Sequence, residues 1–379
     1  MPLSLPLSAR LASFYFAYFA YGAALVAYFP VYLAARGLDA REIAFVLALP
    51  QIARVAAPAG WGWLADRSGA QRGIVAFSCA TVAACFLALP YADGVGTIAW
   101  MIGLMSLLSA GALPLVEAIA LASLSGSPGR YGPIRMWGSV GFIAVVLAGG
   151  AWLDYGPIRS LPAVLAALAL ASLVASLILP ATPTRNRERS HEVMPKTSAA
   201  RALLGAGFCM AAAHGGLYAF LTIHLQNTGY SAMSIGVLWA LGVLAEIVVF
   251  AYLPALFRRH ALSSILIVSL GLGVARFLGI AWFAEYLWIL VPAQLLHAAT
   301  FGSFHAASVA AVHRIFPPEL QSRGQTLFSS LSYGAGGAAG ALVAGWAWQA
   351  GGPGMAFSAG ALAALAGAYF AVQLKRAGL

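Results

Sequence analysis

The sequence predicts an all-α integral membrane protein of twelve transmembrane helices in two pseudo-symmetric six-helix halves. Three observations carry that prediction. The 379-residue chain is 61% hydrophobic and 8% charged, with a mean hydropathy of +0.86. A soluble chain normally carries about 25% charge, so too little is present to cover a water-exposed surface. Apolar runs of membrane length recur along the chain, each span needing about 20 residues. One polar stretch, "ATPTRNRERSHEVMPKTSAAR" at 181–201, divides those runs into two sets of six.

The first span is 11–35. The apolar N-terminus before it lacks a basic start and a clear cleavage site, so it reads as the entry to that span and not as a removed signal peptide. Spans two to six follow at 42–65, 72–90, 97–123, 133–152 and 160–180, most of them separated by turns marked with Gly, Pro or Asp. Spans seven to twelve lie at 202–226, 232–256, 261–281, 284–311, 324–347 and 352–374. Residues 1–180 are then one half, 181–201 a cytoplasmic linker and 202–379 the other half.

Charge fixes the expected orientation. With the N-terminus in the cytoplasm, the inside segments hold Arg10, Arg67, Arg72, Arg130, Arg185, Arg187, Arg189, Lys196, Arg201, Arg258, Arg259, Arg314, Arg323, Lys375 and Arg376. The outside loops hold Arg36, Arg41 and Arg159. This bias places both termini in the cytoplasm and explains the net charge of +10 without nucleic acid as a partner. Cys79, Cys85 and Cys209 are scattered in apolar runs without metal or disulfide spacing.

An internal repeat supports the two halves. "YLAARGLDAREIAFVLALPQIARV" at 32–55 matches "HLQNTGYSAMSIGVLWALGVLAEIV" at 224–248 with an offset of 192, pairing Leu33 with Leu225, Gly37 with Gly229 and Ile43 with Ile235. Arg54 then corresponds to Glu246, so equivalent helices carry opposite charges. Two related halves around a site formed by intramembrane charges is a transporter arrangement. The other charges inside spans are Glu117, Arg135 and Arg276. A charge at the bilayer centre costs about 2.5 kcal/mol or more, so such residues face a polar cavity or each other.

"GWLADRSGAQR", with Gly62, Asp66, Arg67, Gly69 and Arg72, lies in the turn between spans two and three. It resembles the signature loop of the major facilitator superfamily. "VEA" around Glu117 followed by "RMWGSVGF" from Arg135 resembles the lactose permease group, and "HGGLYAF" and "GVLWALGVLAEIVVF" resemble its phenylpropionate permease branch. The resemblance implies the major facilitator fold, solute binding by Glu117 and Arg135, and a counterpart for the group's span-nine arginine in Arg276. It also implies a span-ten histidine, His297, but Thr300 stands where the group carries its proton-handling acid. The second-half copy of the signature loop, "PALFRRH", lacks the acid.

Each candidate has a structural alternative. Glu117 is a solute or proton carboxylate, or a carboxylate paired across helices. Arg135 lines the cavity with it, or snorkels to the interface. Arg54 and Glu246 form a working pair or a permanent ion pair, with Arg54 or Arg276 holding a solute carboxylate in a bidentate fork. Glu246, His297 and His214 are the proton-coupling candidates, histidine titrating near neutral pH; packed histidines are the alternative. Tyr218 shares a helix face with His214, four residues away.

The expected function is proton-coupled symport of a small organic solute, such as an aromatic or other monocarboxylate. A sugar or nucleoside symporter is the alternative, and a non-transporting receptor or scaffold the alternative of another class. No nucleophile triad, metal constellation or phosphate loop points to an enzyme or a cofactor. The expected setting is a monomer in the lipid bilayer of a bacterial inner membrane, with protons and a small molecule as partners.

Overall fold

The computed structural model describes residues 5–124, 128–181 and 197–379. Residues 182–196 of the expected linker, including Arg185, Arg187, Arg189 and Lys196, lie outside the described residues. The described residues are helical or in turns, with no strand among them. In lipid every backbone N–H and C=O needs a partner within the protein, and a helix supplies it locally.

The first half contains α1 (Leu7–Ala35), α2 (Ala40–Ser68), α3 (Gln71–Ala88), α4 (Gly94–Ser109), α5 (Ala112–Ser123), α6 (Tyr131–Leu153) and α7 (Leu161–Leu177). Span four is thus two helices, α4 and α5, joined at Ala110–Gly111. The second half begins with α8 (Ser198–Asn227), whose N-cap Thr197 accepts the Ala200 amide at 3.1 Å. It continues with α9 (Ala232–Arg259), α10 (Leu262–Phe283), α11 (Leu287–Leu295), α12 (Phe304–Ile315), α13 (Gln321–Ser329) and α14 (Gly337–Arg376). Two π-helical segments, Ala298–Ser303 and Ser330–Gly336, interrupt spans ten and eleven.

Eleven described helical segments are long and apolar enough to cross a membrane. The last, Pro318–Arg376, has 59 residues. At that length a continuous helix would run about 90 Å, roughly three times the bilayer core. Gly351 (φ −156°, ψ 24°) and Gly352 (φ 71°, ψ −164°) depart from helical geometry within it. The break divides it into two helices, one on either side of Gly351–Gly352.

The repeat is visible in the backbone. Gly37 and Gly229 both take the left-handed conformation, at φ 86° and 98°. Two residues after each comes a side-chain cap, again related by the offset of 192. Asp39 accepts the Glu42 amide at 2.9 Å while Glu42 accepts the Asp39 amide at 2.9 Å, a capping box at the start of α2. Ser231 Oγ accepts the Ser234 amide at 3.1 Å at the start of α9.

The chain forms two compact units. The first comprises Met1–Gly37, Ala56–Arg187 and Ser231–Val237, and the second Leu38–Val55, Glu188–Tyr230 and Leu238–Leu379. The units follow chain order except at two helices: α2 begins in the second unit, and α9 begins in the first. Small residues explain both exchanges. A side chain at Gly236 would meet the Val146 backbone of α6, and one at Gly345 would meet Ala44 of α2. In the first unit α1 packs on α6 and α3 on α7, around Leu11, Phe14, Val116 and Ile119. In the second, α14 packs on α8 and α10, around Leu203, Leu266, Leu270 and Phe328.

Candidate functional site

In the first unit, α5 and α6 bring the two charges expected there to one another. Arg135 Nε lies 3.9 Å from Glu117 Oε1, and the side chains are 30% and 39% exposed. The guanidinium also stands over two rings of α1, with Cζ 4.0 Å from the centre of Phe19 and 5.2 Å from that of Tyr15. Such contacts add cation–π attraction. Gly138, one turn beyond Arg135, makes this possible: a Cβ there would come within 2.9 Å of both the guanidinium and the Phe19 ring. The sequence gives no signal for the contact with Phe19 and Tyr15, because the helix face they present depends on how α1 packs.

The second unit holds a larger polar group built on α8, α9, α10 and the first π segment. Arg276 is 1% exposed. Its Nη1 donates to Thr300 Oγ1 at 2.8 Å and faces His214 Nε2 at 3.2 Å. His214 Nδ1 lies 2.9 Å from the Met210 carbonyl. A carbonyl only accepts, so Nδ1 carries the proton and Nε2 is the acceptor for Arg276. The Thr300 hydroxyl, 3.4 Å from the same Nε2, closes the triangle.

Glu246 stands beside His297. Its Oε2 lies 3.7 Å from His297 Nε2, with the side chains 16% and 11% exposed. Glu246 packs over Gly302 in the π segment, where a Cβ would come within 3.0 Å of its Cγ. His297 Nδ1, Arg276 Nε and Gln294 Nε2 are buried without a hydrogen-bond partner among the described residues. Unsatisfied buried polar atoms are rare in folded proteins and mark places that do more than pack.

Rings surround this group. His214 lies 5.9 Å from Tyr218, as their spacing predicts, and 6.1 Å from His297. Tyr218 stacks on Trp239 at 6.3 Å, and the Trp239 indole donates to Thr222 at 3.1 Å. His297, Phe301 and His305 stack successively at 5.2 and 6.2 Å, and His305 Nδ1 is 2.7 Å from the Tyr333 hydroxyl. The four-residue spacing of 297, 301 and 305 was a legible signal for that stack; Tyr333 and Gln294 gave none. Arg54 is exposed and donates to Gln51 Oε1 at 3.2 Å. His224, facing the Ile280 carbonyl at 3.0 Å, is a packed histidine.

The signature turn runs from α2 into α3 through Gly69, whose φ of 68° gives the sharp reversal. Ser68, more than Asp66, bonds this turn: its hydroxyl donates to Leu64 O at 2.7 Å and accepts the Ala70 amide at 3.2 Å. Asp66 is exposed, and Arg67 lies 5.7 Å from the Trp63 ring centre.

A repeated helical membrane fold with ionisable groups buried within its spans is an arrangement found in transporters. The model of the MFS_1 like family matches residues 8–359, and the chain belongs to that family. It is a major facilitator permease. It is 30% identical over 350 residues to the "Probable 3-phenylpropionic acid transporter" of Escherichia coli (strain K12), covering 89% of this chain and 90% of that one. It is 27% identical over 356 residues to the maltose permease of Geobacillus stearothermophilus, covering 89% and 88%. The crystal structure of the nucleoside transporter NupG superposes with a TM-score of 0.83 at 17% identity, over 98% of this chain and 99% of that one. These relatives are transporters, not enzymes.

Proposed function

We propose that the protein carries a small monocarboxylate, of the kind represented by 3-phenylpropionate, together with protons by alternating access. The observation that carries the reading is the pairing of Glu246 with His297 at 3.7 Å beside a buried arginine. Two groups able to exchange a proton stand together there, and the other ring nitrogen of His297, Nδ1, has no hydrogen-bond partner among the described residues. Glu246 and His297 carry the proton, while His214 holds Arg276 in place. The solute-binding candidates are Glu117 and Arg135 in the first unit and Arg54, Arg276 and Tyr218 in the second, three arginines favouring an anion over a neutral solute. The setting is a bacterial inner membrane with both termini cytoplasmic.

Proteoliposomes containing the purified protein provide the test. Radiolabelled 3-phenylpropionate should show counterflow, and its uptake should acidify the vesicle interior. A sugar or nucleoside symporter is the second reading, favoured by the maltose permease relative. Counterflow of maltose or a nucleoside, with none of any carboxylate, would replace the first reading by the second.

A further inference from the structure

Span four is broken at Ala110–Gly111, in the first unit, and the break lies just ahead of Glu117. A continuous helix would bond the Leu107 carbonyl to the Gly111 amide. Here that carbonyl accepts the indole N–H of Trp61, from α2, at 2.8 Å. The Leu108 carbonyl accepts the Ser78 hydroxyl of α3 at 3.3 Å. Side chains of two neighbouring helices thus hold carbonyls at the bend.

Trp61 fits this bend because residue 111 is glycine. A Cβ at Gly111 would come within 2.6 Å of Trp61 Cβ and 2.8 Å of its Cγ. The indole is steadied by Phe77 of α3, 6.0 Å away between ring centres. Another part of the bend is unfilled. Ser109 and Ala112, which flank it, border a cavity of about 30 Å³ together with Tyr18 and Tyr21 of α1 and Cys79 of α3, and Trp61 stands outside that cavity. A void supplies no partner atoms to the helix beside it. Further along, Val116 and Ile119 hold α5 in the core of the unit. At its start the packed contact is Trp61 against Gly111, and this contact sets the direction in which α5 leaves the bend.

Glu117 follows Gly111 by six residues, about 9 Å along a helix axis. A change of about 10° at the bend then moves its backbone by about 1.5 Å. Its carboxylate lies 3.9 Å from Arg135 Nε, so a shift of that size decides whether the pair exists. We propose that Trp61 is a positioning residue for Glu117. The indole, wedged against Gly111 and bonded to the Leu107 carbonyl, holds the span-four bend at the angle that brings Glu117 to Arg135. The inference rests on the solute-binding role given to Glu117 above, and it adds the residue through which α2 controls that role.

Two readouts on the full chain in proteoliposomes test this, and the first needs no solute. With Cys79, Cys85 and Cys209 replaced by serine, Glu117→Cys and Arg135→Cys supply two thiols for a short dimaleimide to join. Adding Trp61→Phe, which keeps a ring but deletes the N–H, should slow the joining about fivefold, the scale of one hydrogen bond. Each single cysteine should still react with a monomaleimide at its former rate. Gly111→Ala, which drives an intact indole from the bend, should slow the joining as well and serves if Trp61→Phe does not fold. Unchanged joining in a folded variant overturns the inference.

Counterflow of 3-phenylpropionate is the second readout. Trp61→Phe should raise the half-saturating concentration about fivefold and leave the maximal rate per folded protein near that of the wild type. A residue that acts through Glu117 is not additive with it, so Trp61→Phe should have no further effect on half-saturation in Glu117→Gln. A full effect in that background, or a fall in maximal rate alone, marks a merely structural role and overturns the inference. Absence of carboxylate counterflow in the wild type overturns the carboxylate reading instead, and the joining rates then decide the role of Trp61 by themselves.

Discussion

Arg276 donates to the hydroxyl of Thr300 at 2.8 Å, although the two residues lie on different helices and neither supplies a carboxylate. The hydroxyl accepts from the arginine and can donate to His214, so one small side chain links two buried groups. Thr300→Val keeps the shape and deletes the link. The expected loss is about 1–3 kcal/mol, the cost of leaving a buried donor unsatisfied. Thermal unfolding in detergent measures it, and Thr300→Ser should recover most of the wild-type value. An unchanged midpoint for Thr300→Val would show that Arg276 does not depend on this hydroxyl.

Glu246 and His297 make a different kind of prediction, because their proposed role is chemical. Glu246→Gln preserves size and hydrogen bonding but removes the titrating carboxyl. Counterflow of the solute should persist in this variant, while solute-dependent acidification of the vesicle interior disappears. Undiminished acidification would take the proton role away from Glu246.

Asp154, at the end of α6, accepts the backbone amides of Ala232 and Met233 at 2.7 and 3.2 Å. A carboxylate at a helix N-terminus satisfies orphan donors and complements the helix dipole. Asp154→Ala should cost about 0.5–2 kcal/mol, as other cap deletions do. Hydrogen exchange of the peptide at the start of α9 should quicken, while the interior of α6 stays protected. Equal exchange in both proteins would mean that another group holds this joint.

Gly340 of α14 faces the backbone of Ala212 in α8, where no Cβ fits. Gly340→Leu should separate the two helices and cost about 1–3 kcal/mol or more through overpacking. Gly271 of α10 has open space around it, and Gly271→Ala serves as the control. The yield of folded protein and its unfolding temperature should drop in the first variant and hold in the second. Similar behaviour of the two would contradict the close approach of α8 and α14.

Much of the architecture was legible in the chain itself. Gly37 and Gly229, 192 residues apart, share the left-handed backbone, and each is followed by a side-chain cap. Turn and cap chemistry is local, so sequence reports it well. The breaks in spans four, ten and eleven were not legible. A π segment has the same apolar composition as the helix it interrupts, and only the hydrogen-bond register distinguishes them. The approach of Glu117 to Arg135 followed from adjacent helices joined by a short turn. The platform of Phe19 beneath Arg135 did not, because α1 precedes that turn by nearly a hundred residues.

The sequence alone determined the membrane class, the spans and the short list of charges inside them. Apolar length and the cost of buried charge are properties of each segment, requiring no knowledge of its neighbours. Tertiary structure decided the partners. It gave Arg276 to Thr300 and His214, placed Glu246 beside His297, and set the start of α2 and of α9 in the unit opposite to their sequence half. Those choices depend on how closely helices approach, and a glycine facing a neighbouring backbone shows its effect only when both helices are in place.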